Sequence, residues 1–431
     1  MIETLKNAWK IADLRQKILY TLLIVLIFRL GSVIPLPYMD PTAIQSMVNA
    51  NGSLFGYLNV LSGGSFGQAT IFALSISPYI TSSIVIQLLS IAIPYLERLS
   101  KEGAEGRKKL NKITRYTTVG LALFQSIAYY FMFRNMHAVA YRDGFEGFFA
   151  ALVIILSLTA GSCLVVWLGE CINDNGIGNG ISLLLFAGIV SRGPAAVAKM
   201  FTYLQWGFDG ATQYIFFVPL TVAIFVAMIA FIIIMTNAER RIPVQYAKRM
   251  VGRKMYGGQS THIPIKVNMS GVMPVIFASS LLGIPGTIKS FVDPNAERWV
   301  GKFLGLFNYN TWLYALLYFV LIIAFNYFYV ALQYNPLEMS NNLRKNNGTV
   351  PGYRPGKPTT DYISKVINKV TLLGALFLAV LAIAPIILGS VMQMNISLGG
   401  TSMIIVVGVA LDTVRQLESQ MMMRHYKGFL E

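Results

Sequence analysis

Gly63-Gly64-Ser65-Phe66-Gly67 has the G-x-S-x-G spacing of a serine-hydrolase elbow. That chemistry needs a strand before the serine, a helix after it, and histidine and acid partners. Here the segment lies in an apolar, helical stretch with no suitable histidine, so it reads as a flexible break between a short helix and a long one. Gly176-Ile177-Gly178-Asn179-Gly180 resembles a phosphate loop. Such a loop follows a strand and has a base nearby. Neither is present, and the run reads as a turn between two spans. Cys163 and Cys171 are eight apart in one apolar stretch. That is about 12 Å along a helix, too far for a disulfide, and no metal-type CxxC pair occurs. His137, His262 and His425 are scattered, and neither HExxH nor GxxxxGK[ST] is found. A membrane-embedded hydrolase would need a Ser–His pair or a metal site within the bilayer, but His137 and His262 fall in loops.

The elements that would have to position any chemistry are membrane spans. Of 431 residues, 55% are hydrophobic and 13% charged, with a mean hydropathy of +0.57. A soluble domain carries about 25% charge. This composition excludes a soluble globular enzyme and a disordered chain. The net charge of +16 then belongs at the ends of spans, not on a nucleic-acid-binding face. Charge-free runs and a span length of about 20 residues give ten spans: 18–36, 71–93, 116–134, 148–169, 180–196, 214–236, 268–288, 311–333, 369–390 and 401–420. The apolar run from Ile18 contains Arg29 and lacks a small-residue cleavage site, so it reads as a retained first span, not a cleaved signal. With the N-terminus in the cytosol, cytosolic segments hold 27 of the 35 Lys and Arg and external loops hold seven. This is the positive-inside pattern, and it places both termini in the cytosol of a multi-pass protein. Two groups of five spans, 1–196 and 214–431, must run in opposite directions, so any repeat is inverted. Residues 197–213 form the external hinge between them.

Within the spans, charge is nearly absent. Arg29 and Asp412 lie towards span ends, where snorkelling to an interface is the default. An ion-coupled secondary transporter with inverted repeats is the alternative reading, but it needs acidic or basic groups near mid-membrane. Residues 54–67 are Gly-rich, moderately apolar and too short to span. They fit a short helix re-entering a cavity or an external surface loop. Ile76 and Ile80 share one helical face, as do Ile181 and Leu185. Such faces could converge into an apolar constriction, or simply pack. The cytosolic loops, 237–267 and 335–367, are large and basic. One carries Arg240, Arg241, Lys248 and Arg249; in the other, Pro and Gly flank Arg354 on both sides and shape a rigid tip. A topology signal would explain the charge, and an acidic or RNA-rich soluble partner would explain the order.

These motifs, taken together, resemble the SecY family of protein-conducting channels over essentially the whole chain. The carriers are Phe28-Arg29-Leu30-Gly31 with Ile34-Pro35-Leu36-Pro37, Leu61-Ser62-Gly63-Gly64, and Ser77-Pro78-Tyr79-Ile80. They continue through Asn175-Gly176-Ile177-Gly178-Asn179-Gly180, Glu239-Arg240-Arg241-Ile242-Pro243-Val244 and Lys266-Val267-Asn268-Met269-Ser270-Gly271. Pro351-Gly352-Tyr353-Arg354-Pro355-Gly356 and Gly399-Gly400-Thr401-Ser402 complete the set. The resemblance implies an all-α channel of ten helices in two inverted five-helix halves around a central pore. It implies a pore ring of Ile76, Ile80, Leu185, Ile276 and Ile405, with Ile181 beside it. Leu185 departs from a mostly isoleucine ring without harm to an aliphatic seal. A re-entrant plug would be residues 54–67, including Phe55, Tyr57, Leu58, Leu61, Ser62, Gly63 and Gly64. A lateral gate between spans two, three, seven and eight would carry Thr81, Gln87, Gln125 and Asn268. The basic loops would dock the SecA ATPase or a ribosome through Arg240, Arg241, Lys248, Arg249 and Arg354. The other implied partners are the small membrane subunits SecE and SecG, signal-bearing precursor polypeptides and membrane lipids. The implied home is the bacterial plasma membrane. The resemblance implies no cofactor and no enzymatic activity.

Overall fold

The computed structural model describes residues 2–49, 59, 62–135, 137–246, 249–251, 254–256, 260–289, 311–392 and 400–427. Among the described residues, six helical segments are long and apolar enough to cross a membrane: Gly144–Asn175, Gly180–Phe208, Gln213–Asn237, Trp312–Lys345, Lys357–Gly389 and Gly400–Met422. A seventh is bent by 107° between Ser77–Ala92 and Pro94–Ser100. In chain order the helices of the N-terminal half are α1 (Ile2–Lys10), α2 (Ala12–Gly31), α3 (Pro41–Asn49), α4 (Ser77–Ala92), α5 (Pro94–Lys101), α6 (Ala104–Asn135), α7 (Gly144–Asn175), α8 (Gly180–Val190) and α9 (Gly193–Phe208). After α10 (Gln213–Asn237) come strands β1 (Glu239–Tyr246), β2 (Arg249–Val251), β3 (Lys254–Tyr256) and β4 (Ser260–Lys266). The chain continues as α11 (Met273–Lys289), α12 (Trp312–Gln333), α13 (Pro336–Lys345), β5 (Gly348–Thr349), α14 (Lys357–Met392) and α15 (Gly400–Lys427). Helices α2, α6 and α11 occupy the positions of the first, third and seventh expected spans.

Several expected boundaries move, each for a physical reason. The span expected at 71–93 starts as helix only at Ser77; residues 71–76 are turns. Their backbone is satisfied elsewhere: the Ile71 amide donates to Ile34 O at 3.1 Å and Ser162 Oγ donates to Ser75 O at 3.2 Å. Gly161 permits this, since a Cβ there would collide with the Ile71 carbonyl. Pro94 ends α4, because a proline disfavours helical geometry in the residue before it, and Ile93 is extended. The expected hinge 197–213 is helical through Phe208 in α9, leaving residues 209–212 as the connection. Gly176–Gly180 is a turn. Asn179 caps α8 by accepting from the Ser182 amide at 3.2 Å, and Asn173 Oδ1 accepts from Gly180 N at 2.7 Å. Cys163 and Cys171 are free thiols.

The two basic loops form one body. β1 is the middle strand of the sheet β4-β1-β5, so the second loop adds its strand to the first. Burial alternates along β1, as period-2 geometry requires: Ile242 and Val244 are buried, while Arg241, Pro243 and Gln245 are exposed. Below them lies a shared core that includes Ile265, Leu343, Val350, Ile363 and Ile367. Val244→Asp would place an unpaired carboxylate there, at a cost of several kcal/mol. Limited trypsin digestion should then cut both loops together while the spans stay intact. Cleavage confined to one loop would contradict the shared core.

In the C-terminal half a buried polar junction ties three segments. Ser270 Oγ donates to Asn326 Oδ1, and Asn326 Nδ2 donates to Thr371 O at 3.0 Å. In the N-terminal half, Ser82 Oγ of α4 donates to Thr114 O of α6 at 2.9 Å, and Ser126 and Thr159 hydroxyls meet at 2.9 Å between α6 and α7.

Candidate functional site: an apolar waist and the turn beneath it

One apolar cluster draws on helices from early and late in the chain. It joins Ile24 and Phe28 of α2, Phe72 and Ile76 before α4, Leu184 and Leu185 of α8, and Ile405 and Val409 of α15. Ile80, Ile181 and Ile276 pack against it. All six aliphatic residues singled out from the sequence therefore share this cluster. Ile76, Leu185 and Ile405 are buried, and the others are half-buried. Ile76 sits at the N-cap of α4, and its carbonyl accepts from the Ile80 amide at 3.1 Å.

A cavity of about 40 Å³ lies in this waist, lined by Ile80, Leu185, Ile276 and Ile405 together with Ser62, Ser75, Ser77, Ser280 and Tyr129. One water needs roughly 10–15 Å³ measured this way, so the space suits a few waters at most. Ser75, Tyr129 and Ser280 carried no distinguishing pattern in the sequence. Ser62 and Ser75 line the cavity because residues 62–76 form a folded turn and not a helix.

That turn is built on Asn59 and two glycines. Asn59 O accepts from the Gly64 amide at 2.7 Å and from Ser62 Oγ at 3.2 Å. Asn59 Oδ1 accepts from the Gly67 amide at 2.8 Å. Gly63 and Gly64 have φ of +65° and +96°, which favour residues without a Cβ. Phe66 packs against Tyr129 and Phe133 with ring centroids 5.5 and 6.0 Å apart. Phe55, Tyr57, Leu58 and Leu61 lie outside the described residues.

Arg29 does not snorkel. It turns inward, and its Nη1 donates to Gly63 O at 3.5 Å. Asp412 behaves as expected near a span end, paired with Arg415 at 3.8 Å.

The four polar positions expected between gate helices do not bond to one another. Thr81 Oγ1 donates to Ser77 O in its own helix at 3.1 Å. Gln87 Oε1 and Asn268 Oδ1 are buried with no partner among the described residues. Gln125 is half-buried on α6. On the body formed by the two basic loops, Arg240 is exposed and Arg241 donates to Glu239 at 2.7 Å. Arg249 lies in β2, and Lys248 is outside the described residues. Arg354 is exposed at a tip whose flanking Gly352 and Gly356 have φ of +85° and +108°.

The SecY family model matches residues 70–414. The chain belongs to the SecY family. It is 42% identical to the protein translocase subunit SecY of Streptomyces galbus, covering all of both chains. Its fold is that of solved SecY and Sec61 channels. A SecY structure whose plug domain stabilises the closed state of the translocation channel aligns with a TM-score of 0.61 at 17% identity, over 94% of this chain and 92% of that one. Canine Sec61 in a ribosome–channel complex aligns with a TM-score of 0.59 at 17% identity, with the same coverage. As a SecY-family member this multi-pass membrane protein is a protein-conducting channel and not a secondary transporter.

Proposed function

We propose that the apolar waist is the closing ring of the channel, with Ile76, Ile80, Ile181, Leu185, Ile276 and Ile405 as its members and residues 54–67 as the plug beneath it. The single observation that carries this reading is the convergence of all six side chains on one cluster beside a small cavity that Ser62 of the turn helps to line. A conduit for unfolded chains must accept every side chain, so its wall should bind none of them strongly. Flexible aliphatic groups close around a passing chain by van der Waals contact, and an empty apolar constriction resists hydration.

Residues 1–196 and 214–431 act as two inverted halves that part along a lateral gate marked by Thr81, Gln87, Gln125 and Asn268. Buried oxygens without partners at Gln87 and Asn268 cost free energy in the closed state, which lowers the work a signal sequence must do to open it. The chain carries no nucleotide-binding motif, so a partner supplies the energy. The fused basic loops present Arg240, Arg241, Lys248, Arg249 and Arg354 to the SecA ATPase or to a ribosome, the partner seen with canine Sec61. SecE and SecG complete the membrane complex in the bacterial plasma membrane, with both termini cytosolic.

Plug movement tests this reading. In a background lacking Cys163 and Cys171, Ser62→Cys and Ser191→Cys are joined by a short reducible thiol reagent. Ser191 Oγ lies 3.4 Å from Gly63 O, so the two positions are neighbours. Export of a precursor into vesicles should stop and return on reduction. Export that continues with the link in place would make the plug a passive loop.

A further inference from the structure

The underside of the plug turn meets two cations. Arg29 Nη1 donates to Gly63 O at 3.5 Å, and Ser191 Oγ, whose proton goes mainly to Gly188 O at 2.6 Å, makes a longer shared contact with the same oxygen at 3.4 Å. Arg192 covers the next residue: a Cβ on Gly64 would lie 3.1 Å from its Nη1. Gly63 itself rests on the α8 backbone, where a Cβ would stand 2.8 Å from Gly188 Cα. Arg29 and Arg192 are within electrostatic reach of each other, yet neither makes an ion pair among the described residues. Arg192 Nε is buried with no hydrogen-bond partner there.

The plug segment cannot neutralise them, because residues 41–96 contain no Asp or Glu. Asp40, just before that run, is engaged by the Thr42 amide and hydroxyl at 3.0 and 2.7 Å. What the turn offers instead is the negative end of a backbone dipole at the Gly63 carbonyl. Both contacts to that oxygen are long for hydrogen bonds, so the hold is weak. Two like charges brought together without a counter-ion weaken it further, and both regain water once the turn departs.

We propose that Arg29, Ser191 and Arg192 are positioning residues that clamp the Gly63–Gly64 turn in the closed channel and release it at low cost. The clamp rests on the reading of residues 54–67 as a plug. It places the holding point on α2 and on the break between α8 and α9. These holding points all lie within residues 1–196, so the two halves can part without first breaking them.

The test uses the full chain in its membrane complex, reconstituted in planar bilayers and vesicles. A Ser62→Cys reporter in a background lacking Cys163 and Cys171 reads plug position through labelling by an external, membrane-impermeant maleimide. R29Q combined with R192Q should raise labelling rate and resting conductance roughly tenfold, as loss of a charged hydrogen bond would. R29K, which keeps a donor and the charge, should stay within about twofold of wild type. S191A, which keeps both cations, should speed labelling about threefold and carries the test if the double variant does not insert. Wild-type labelling in both R29Q/R192Q and S191A would overturn the clamp. A deletion of residues 54–61 separates the two readings. Leakage from the deletion beside a tight, normally labelled R29Q/R192Q channel refutes the clamp and spares the plug. A deletion as tight as wild type refutes both.

Discussion

Replacing Ile276 and Ile405 together by asparagine should raise the resting ion conductance of the reconstituted channel by more than about tenfold. Fully burying an aliphatic side chain of this size is worth about 1.5–3 kcal/mol, and tenfold corresponds to about 1.4 kcal/mol. Both residues line the small cavity in the waist, and Ile405 is only 2% exposed. The serines and Tyr129 already give that cavity hydrogen-bonding groups. The aliphatic layer is what keeps water from forming a continuous file through it. Two amides at the level of the ring would bridge the gap, and dewetting would no longer close the path. Valine at the same positions keeps the surface apolar and should leave conductance within about twofold, because the lost methylenes leave no polar partner for water. Single-channel recording in planar bilayers checks both. Unchanged conductance in the asparagine variant would remove these residues from the seal.

Arg354→Glu should lower motor-driven export by at least about tenfold while expression and insertion stay normal, since like-charge juxtaposition at a docking surface costs several kcal/mol. The backbone around it does not depend on the guanidinium. Gly352 and Gly356 make the turns, and Tyr353 stacks on Tyr362 at 4.2 Å. Thr359 Oγ1 donates to the Arg354 carbonyl at 2.8 Å, and Ser340 Oγ donates to Gly356 O at 3.2 Å. Charge reversal therefore changes what the tip presents and leaves its shape alone. Transfer of a purified precursor into vesicles, with motor and ATP supplied, measures the loss. Wild-type transfer at a normal level of channel would show that Arg354 is a bystander.

Among the described residues, seven of the ten expected spans are matched by apolar helical segments, one of them bent; hydropathy and charge find these because both follow from solvation, which is local to each stretch of chain. They failed where a buried segment is not helical. Ile71-Phe72-Ala73-Leu74-Ser75-Ile76 is as apolar as any span, yet its amides and carbonyls bond to the chain after α2 and to α7, so it turns instead. Nothing in that run announces such partners, since they lie 37 and 87 residues away. The β1–β4 hairpin could have been found from Arg241-Ile242-Pro243-Val244-Gln245, whose alternation is that of a half-buried strand. Its pairing with Gly348 and Thr349 could not, because a two-residue strand has no periodicity.

The site divides in the same way. Every span contains aliphatic pairs four residues apart, so spacing alone could not choose Ile80 and Leu185 over their neighbours; family resemblance did. The inward turn of Arg29 ran against the default for a cation near a span end. Its acceptor is a backbone carbonyl held by Gly63, and a carbonyl leaves no mark on composition.

The central claim is that an extended polypeptide passes through the aliphatic waist. A precursor with one mid-chain cysteine, stalled in transit by a folded domain at its trailing end, tests this directly. Single cysteines replace Ile80, Ile276, Ile405 or Val226, which lies on the span Gln213–Asn237 and is 61% exposed, in a channel without Cys163 and Cys171. Oxidation should join the stalled chain to each of the three waist positions and leave Val226→Cys unjoined. Disulfides at Val226→Cys with none at the waist would mean that the chain takes another route.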